Sequence, residues 1–139
     1  MVTVLFDTNI VLDIALRRMP YFKEAGQLFQ LIDTSKIIGY VTASSITDIY
    51  YIAKKEKGHT DALAFVSDLI TVLEVIGVDK DTIVEALRMN LKDFEDAVQV
   101  AAATSLAVKC VVTRNTKDFA SASLEVHNPT SFLEKYAQW

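Results

Sequence analysis

The chain has few of the residues that build disulfide frameworks, linkers and soft-metal sites. Its 139 residues include one cysteine, two prolines, four glycines and two histidines. A single cysteine excludes an intrachain disulfide and a cysteine-based zinc site, and Cys110 lies in an apolar run that predicts a small buried hydrophobic residue. So few glycines and prolines leave little room for linkers, and no repeat or low-complexity segment is present. We therefore expect residues 1–139 to form one globular domain.

Long apolar runs and an excess of positive charge are lacking as well. No apolar stretch reaches membrane-spanning length and no basic leader precedes the first apolar segment, so we expect a cytoplasmic protein. The formal net charge is −4, so the overall charge does not predict a nucleic-acid partner. Local basic groups could still contact phosphates, although such groups more often lie at solvated helix ends: Arg17 with Arg18, Lys54 with Lys55 and Lys57, and Arg114 with Lys117.

The chain does contain a regular alternation of short apolar runs and helical periodicities. The first run, 3–6, is rich in β-branched and aromatic residues and ends at Asp7, and a helical pattern follows with Thr8 or Asn9 available to cap it. Further strands are predicted at 37–41, 73–76, 110–113 and 124–126, with helices between them. This order predicts a three-layer α/β/α architecture with a central parallel sheet of four or five strands, covered on both faces by helices.

Acidic residues recur near the ends of the predicted strands. Asp7 follows the first strand, Asp48 lies in the first turns of the helix after the second, and Asp118 follows the fourth. Asp96 opens an alanine-rich helix that leads into the fourth strand. Because the carboxyl ends of parallel strands share one edge of the sheet, these carboxylates are expected to meet there. Their mutual repulsion calls for a hard divalent ion, Mg²⁺ or Mn²⁺, since zinc would prefer histidine or cysteine ligands.

Each acid also has a purely structural interpretation. Aspartate after a strand commonly caps the next helix, so Asp7 alone is weak evidence for a site. In the segment 93–96, Asp93 and Asp96 are three residues apart and can share a helix face while Glu95 points elsewhere. Alternatively, Asp93 is only the N-cap, and Glu95 and Asp96 only complement the helix dipole.

Four sequence motifs, taken together and in this order, resemble the PIN domain family over essentially the whole chain. They are Phe6-Asp7-Thr8-Asn9-Ile10, Thr47-Asp48, Asp93-Phe94-Glu95-Asp96-Ala97, and Val112-Thr113-Arg114-Asn115 with Lys117-Asp118-Phe119. PIN domains are metal-dependent nucleases, and small prokaryotic members resemble the VapC-type toxins of toxin–antitoxin pairs. The resemblance therefore implies a PIN-like fold and a nuclease activity.

The resemblance also implies roles for individual residues. The family's four acidic positions correspond to Asp7, Asp48, Asp96 and Asp118, of which Asp7, Asp96 and Asp118 would bind the metal. Supporting polar positions correspond to Asn9, Asp93, Thr113 and Asn115. The position of Asp48 is commonly glutamate in the family, and the aspartate side chain is one methylene shorter. Asp48 would therefore reach an ion only through water.

By the same resemblance we expect an endoribonuclease that uses Mg²⁺ or Mn²⁺ to activate water for phosphodiester hydrolysis. Arg114 or Lys117 would contact the RNA backbone. An antitoxin partner and a homodimer are also implied. One hypothesis is that the apolar residues of 21–32 and 46–52 exceed what one small sheet can cover and leave a patch for association. The alternative is that all of them are core residues.

Two alternatives remain at this point. The first is a PIN-like module that binds RNA or protein without catalysis and carries a degenerate metal site. The second is a phosphatase or phosphotransferase of the haloacid dehalogenase type, which also begins with an acid after the first strand. That chemistry needs a second aspartate two residues further on, where this chain has Asn9.

Overall fold

The computed structural model describes residues 1–119 and 122–137, and its strands form one parallel sheet. The strands are β1 (Val2–Phe6), β2 (Ile37–Thr42), β3 (Glu74–Ile76), β4 (Cys110–Val112) and β5 (Glu125–His127). Their order across the sheet is β3-β2-β1-β4-β5, and all four pairings are parallel. Chain order therefore reverses between β1 and β4. In open α/β sheets such a reversal opens a crevice beyond the carboxyl ends of the strands.

Seven helices surround this sheet in the described residues, and they confirm the predicted three-layer architecture. They are α1 (Thr8–Ala15), α2 (Phe22–Asp33), α3 (Ala43–Lys57), α4 (His59–Val72), α5 (Lys80–Met89), α6 (Phe94–Ser105) and α7 (Pro129–Tyr136), with a 3₁₀ turn at Thr116–Phe119. Several begin where a polar side chain satisfies an exposed backbone N–H group. Asp79 accepts from Thr82 N, and Asn128 accepts from Ser131 N.

Strand alternation divides the core between the two faces of the sheet. Val4 and Phe6 of β1 face the cluster that includes Leu28 of α2 and Phe132 of α7. Leu5, between them, faces the opposite cluster with Val100 of α6 and Phe119. Cys110 is fully buried in the first cluster, as its apolar surroundings predict.

Gly39 of β2 lies in a tightly packed part of the core on one face of the sheet. A Cβ atom there would lie 2.5 Å from Leu73 Cδ2, 2.7 Å from Phe6 Cε2 and 2.8 Å from Ile32 Cδ1. These distances are shorter than van der Waals contact, so β2 has room for no side chain at this position.

Several sequence-based expectations need correction. Asp7, rather than Thr8 or Asn9, holds the N-cap position of α1, although its side chain makes no capping hydrogen bond. The apolar residues of α2 are mostly packed on the core, whereas Tyr51 and Ile52 of α3 are exposed. Within the two predicted stretches, the large exposed apolar residues are thus Tyr21, Tyr51 and Ile52. No helix in the described part of the chain is long and apolar enough to cross a membrane.

Candidate metal centre

A cavity of about 360 Å³ opens near the carboxyl ends of β1 and β4. It gathers acids from distant parts of the chain, as the strand-end argument predicts. Its walls contain Asp7, Thr8, Asn9, Leu12, Asp48, Ile52, Asp93, Glu95, Asp96, Asn115 and Asp118. Seven residues predicted for the site thus line one cavity: Asp7, Asn9, Asp48, Asp93, Asp96, Asn115 and Asp118. We call it the acidic cavity.

Asp7 is fixed at the base of the acidic cavity by two buried neighbours. Its Oδ1 accepts a hydrogen bond from Gln99 Nε2 at 3.1 Å, and its Oδ2 accepts one from Thr113 Oγ1 at 2.8 Å. Its backbone N–H donates to Val112 O at 3.1 Å. Thr113 therefore lies behind Asp7 and holds it. These bonds engage the carboxylate, which explains why it does not cap α1.

A buried hydroxyl network ties the start of α3 to α1. Thr8 Oγ1 donates to Ser45 Oγ at 2.8 Å, and Thr42 Oγ1 donates to the same oxygen at 3.0 Å. Ser45 N donates in turn to Thr42 Oγ1, which caps the helix. Asp48 lies three residues after Ser45, and the first turn of α3 is thereby oriented so that Asp48 lines the acidic cavity.

The first turn of α6 contributes three acids, one of which the sequence interpretation misplaced. Asp93 accepts from Asp96 N at 3.2 Å, so it is an N-cap and a wall residue at once. Glu95 also lines the acidic cavity, close enough to Asp48 for the two carboxyl groups to interact. The expectation that Glu95 points elsewhere is wrong. The sequence does place Glu95 in the first turn of a helix. Side chains of that turn point in several directions around the helix end, which here faces the crevice.

Two acids of this cavity, Glu95 and Asp96, are harder to ionise than an ordinary carboxyl group. Burial, with further contributions from Asp7, Asp93 and Asp118, raises the pKa of Asp96 to about 7. Partial removal from water, followed by the hydrogen bond and charge of Asp48, raises the pKa of Glu95 to about 7. No described residue in the wall is a lysine, arginine or histidine. The cavity therefore has six carboxyl groups and no positive side chain of its own.

The all-oxygen donor set fits a hard divalent cation, although the carboxylates are spread apart. Among the described residues, one group of three potential metal ligands has its ligand atoms all within 4.8 Å of one another: Cys110, Glu125 and His127. This group lies outside the acidic cavity. Glu125 there already accepts from Lys135 Nζ at 2.7 Å and from His127, so protein groups balance its charge. Mg²⁺ usually keeps several waters and takes only one or two carboxylates directly. Such water-completed binding suits the wider spacing of the acidic cavity.

Arg114 and Lys117, the predicted RNA contacts, do not line the acidic cavity. Arg114 Nε lies 3.1 Å from Oδ2 of the fully buried Asp13, and its guanidinium covers the Tyr21 ring at 3.9 Å. Arg18 Nη1 donates to Asn9 Oδ1 at 3.4 Å and lies 3.9 Å from Asp13. Burial raises the pKa of Asp13, while Arg114 and Arg18 lower it in part. Lys117 is exposed in the 3₁₀ turn.

Solved structures of known toxins share this fold. The VapC20 toxin of Mycobacterium tuberculosis, described as cleaving the sarcin-ricin loop, matches with a TM-score of 0.69 at 14% identity, over 86% of this chain and 95% of that one. The DNA-bound VapBC complex of Salmonella typhimurium matches with a TM-score of 0.69 at 20% identity, over 93% and 99%. A toxin–antitoxin complex of Klebsiella pneumoniae matches with a TM-score of 0.68 at 26% identity, over 91% and 97%.

Sequence comparison agrees with the structural neighbours. A search of curated protein sequences finds no match. The family model of the PIN domain, however, matches residues 3–117, which include nearly all of β1, the whole of β2 to β4 and most of the acidic cavity. This match removes the haloacid dehalogenase alternative. The chain belongs to the PIN domain family, whose members are nucleases.

Proposed function

We propose that this protein is a ribonuclease dependent on Mg²⁺ or Mn²⁺, and that it is the toxin of a type II toxin–antitoxin pair. The observation that carries the proposal is the convergence of six carboxyl groups on one cavity whose described wall has no positive side chain. A cluster of this kind is costly in a metal-free protein, because burial and like charges both disfavour ionisation. Cation binding is the function that compensates this cost.

In the proposal, Asp7, Asp96 and Asp118 bind the ion and Asp48 supports it. An ion held there would lower the pKa of a bound water and neutralise charge on the scissile phosphate. Gln99 and Thr113 hold the Asp7 carboxylate in one orientation, so little reorganisation is needed on binding. Glu95 lines the same cavity as Asp48, and its side chain is one methylene longer.

The polar residues around the acids position the substrate and the attacking water. Asn9 accepts from Arg18, which leaves its amide N–H groups for a phosphate oxygen. Asn115 lines the cavity next to Thr113, whose hydroxyl accepts from Asn115 N at 3.0 Å. Glu95 stands outside the proposed metal set and is the candidate general base that orients water. Lys117 and Arg114 would contact the RNA backbone on the same side of the sheet.

RNA as the substrate rests on likeness to the VapC20 toxin, described as cleaving the sarcin-ricin loop, and on the family. An antitoxin partner is proposed because several structural neighbours are toxin–antitoxin complexes. The exposed apolar residues Leu63 and Ile70 of α4, with Tyr51 and Ile52 of α3, offer a surface for that partner or for a homodimer. A cytoplasmic location accords with such a toxin.

The alternative function is a PIN-like module that binds RNA or protein without cleaving it. One observation favours it: no three carboxylates in the described part of the acidic cavity have oxygens all within 4.8 Å. Only the ribonuclease would convert RNA into cleavage products, so a cleavage assay distinguishes the two functions.

Purified protein is incubated with a mixture of structured and single-stranded RNA in Mn²⁺, in Mg²⁺ and in EDTA. We expect cleavage with either ion, none with EDTA, and at least about a hundredfold loss in Asp7→Asn and Asp96→Asn, since one ligand is removed in each. Asp61→Asn removes an exposed acid from the first turn of α4 and should retain full activity. Circular dichroism checks folding. Cleavage that persists in both site variants, or in EDTA, contradicts the proposal.

A further inference from the structure

A second cavity of about 300 Å³ adjoins the acidic cavity. The two share Asn115, which lines both. The second cavity carries aromatic, amide and guanidinium groups instead of an acid cluster: Tyr21, Glu24, Arg114, Asn115, Asn128, Pro129 and Thr130. We call it the side cavity. Its chemistry differs from that of its neighbour, so it serves a different part of a ligand.

Arg114 in the side cavity is held in place by the buried carboxylate of Asp13. Asp13 is fully buried, its Oδ2 lies 3.1 Å from Arg114 Nε, and its Oδ1 accepts from Arg114 Nη2 at 3.3 Å. Even for a paired carboxylate, the loss of hydration on burial offsets much of the attraction between the two charges. The ion pair holds the guanidinium in one plane while the Nη1 group has no hydrogen-bond partner in the described chain.

The fixed guanidinium forms a stacked pair with an aromatic ring. Its Cζ lies 3.9 Å from the centroid of the Tyr21 ring, close enough for direct stacking. Tyr21 keeps 42% of its surface exposed, so the ring is accessible from the solvent. Aromatic rings and arginine planes are the groups on which unpaired RNA bases stack.

Polar groups around this pair can read the edge of a base. Glu24 Oε2 accepts from Thr130 Oγ1 at 2.7 Å, which fixes the Glu24 carboxylate and leaves Oε1 as an acceptor. Asn128 Oδ1 accepts from Ser131 N at 2.7 Å, which leaves the Asn128 amide N–H groups as donors. The side cavity thus combines a stacking surface with at least one acceptor and one donor held by the protein.

We propose that the side cavity binds one nucleotide of the RNA strand, next to the bond that is cleaved in the acidic cavity, with its base stacked against Tyr21 and Arg114. This inference rests on the proposed ribonuclease function. Asn115 lies where the strand passes from one cavity to the other. A volume of about 300 Å³ is at the small end of ligand cavities and suits a single nucleotide.

The test compares Tyr21→Leu, which keeps apolar bulk and removes the ring, with Tyr21→Phe, which keeps the ring. Affinity is measured by fluorescence anisotropy in EDTA with a labelled single-stranded RNA octamer that the wild type cleaves. Cleavage rates in Mn²⁺ give kcat and KM. Loss of one stacking contact should raise Kd and KM by about 5- to 100-fold in Tyr21→Leu and leave kcat within about threefold. Tyr21→Phe should behave like the wild type.

A second comparison tests where the base sits. Octamers carry an abasic nucleotide at each position flanking the cleaved bond. At one flanking position, removing the base should raise the Kd of the wild type by the same factor as the Tyr21→Leu substitution does with the intact octamer. The same abasic octamer should bind the Tyr21→Leu variant no more weakly than the intact octamer does. Independent effects at every position, or an unchanged Kd in Tyr21→Leu, overturn the side-cavity proposal while cleavage by the wild type stands. If the wild type cleaves no RNA, the ribonuclease proposal and this inference fail together.

Discussion

Replacing Asp96 with asparagine should stabilise the metal-free protein while it removes one carboxylate from the proposed metal site. Burial, together with the charges of Asp7, Asp93 and Asp118, raises the pKa of Asp96 to about 7. Asparagine is nearly the same shape and carries no charge. Above pH 7 the variant therefore removes a repelling carboxylate from the cavity, which the native chain tolerates only at a cost in folding free energy.

The size of the effect follows from linkage between ionisation and folding. Raising the carboxyl pKa from an ordinary 3.8 to about 7 corresponds to about 4 kcal/mol at full ionisation, at ~1.36 kcal/mol per pKa unit. Solvent screening and the sharing of protons with neighbouring acids reduce this to about 1–3 kcal/mol. For a chain of 139 residues, this corresponds to a rise in Tm of about 3–10 °C.

The sign of the pH dependence is fixed by the direction of the shift. The native state binds more protons than the unfolded state between the two pKa values, so the wild type loses stability as pH rises from about 4 to about 7. The advantage of Asp96→Asn should therefore be largest at pH 8 and nearly absent at pH 4.

The assay is thermal unfolding in EDTA at pH 4, 6 and 8, followed by circular dichroism. Asp61→Asn is the matched control, because it also removes a first-turn acid but from a helix outside the cavity, and it should lower Tm slightly at pH 8. Mn²⁺ should raise the Tm of the wild type and leave Asp96→Asn unchanged. A Tm for Asp96→Asn below that of the wild type at pH 8 in EDTA would refute the reasoning.

Three further changes test the supporting structure. Gln99→Leu removes the donor to Asp7 Oδ1 and should weaken Mn²⁺ binding about 10- to 100-fold in calorimetric titration, whereas an unchanged Kd would show that Gln99 does not orient Asp7. Thr113→Val removes the hydroxyl that donates to Asp7 and accepts from Asn115 N, so the free energy of unfolding in urea should fall by about 1–3 kcal/mol. Thr113→Ser keeps the hydroxyl and should lose much less. Equal losses in the two variants would contradict the role of the hydroxyl. Gly39→Ala places a Cβ within 2.8 Å of three side-chain atoms and should cost at least about 1–3 kcal/mol in urea unfolding, while Gly26→Ala, which meets nothing within 4 Å, should not destabilise the protein.

Much of the fold and the site was accessible from the sequence because both depend on strand order. An apolar run that stops at Asp7 marks a strand end, and alternation with helices makes the sheet parallel. Parallel strands place their carboxyl ends on one edge, so Asp7 and Asp118 meet although 110 residues separate them. Local patterning suffices for such an inference.

Other features of the site cannot be predicted from the sequence, because they depend on side-chain packing and on the rotation of helices against the sheet. The direction of Glu95 follows from how α6 is rotated against the sheet, which no local pattern specifies. Gln99 is fully buried with its amide on Asp7, yet in the sequence it is one polar residue in an alanine-rich helix. The pairing of Asp13 with Arg114 joins residues 101 positions apart and shows only in three dimensions.

The most direct test of the central claim is a crystal of the protein soaked in Mn²⁺, with anomalous diffraction locating the ion. The account predicts an anomalous peak in the acidic cavity, bonded to Asp7, Asp96 or Asp118 with waters completing the coordination, and no such peak there in Asp96→Asn. An empty acidic cavity at millimolar Mn²⁺, or an ion bound only at Cys110, Glu125 and His127, would contradict it.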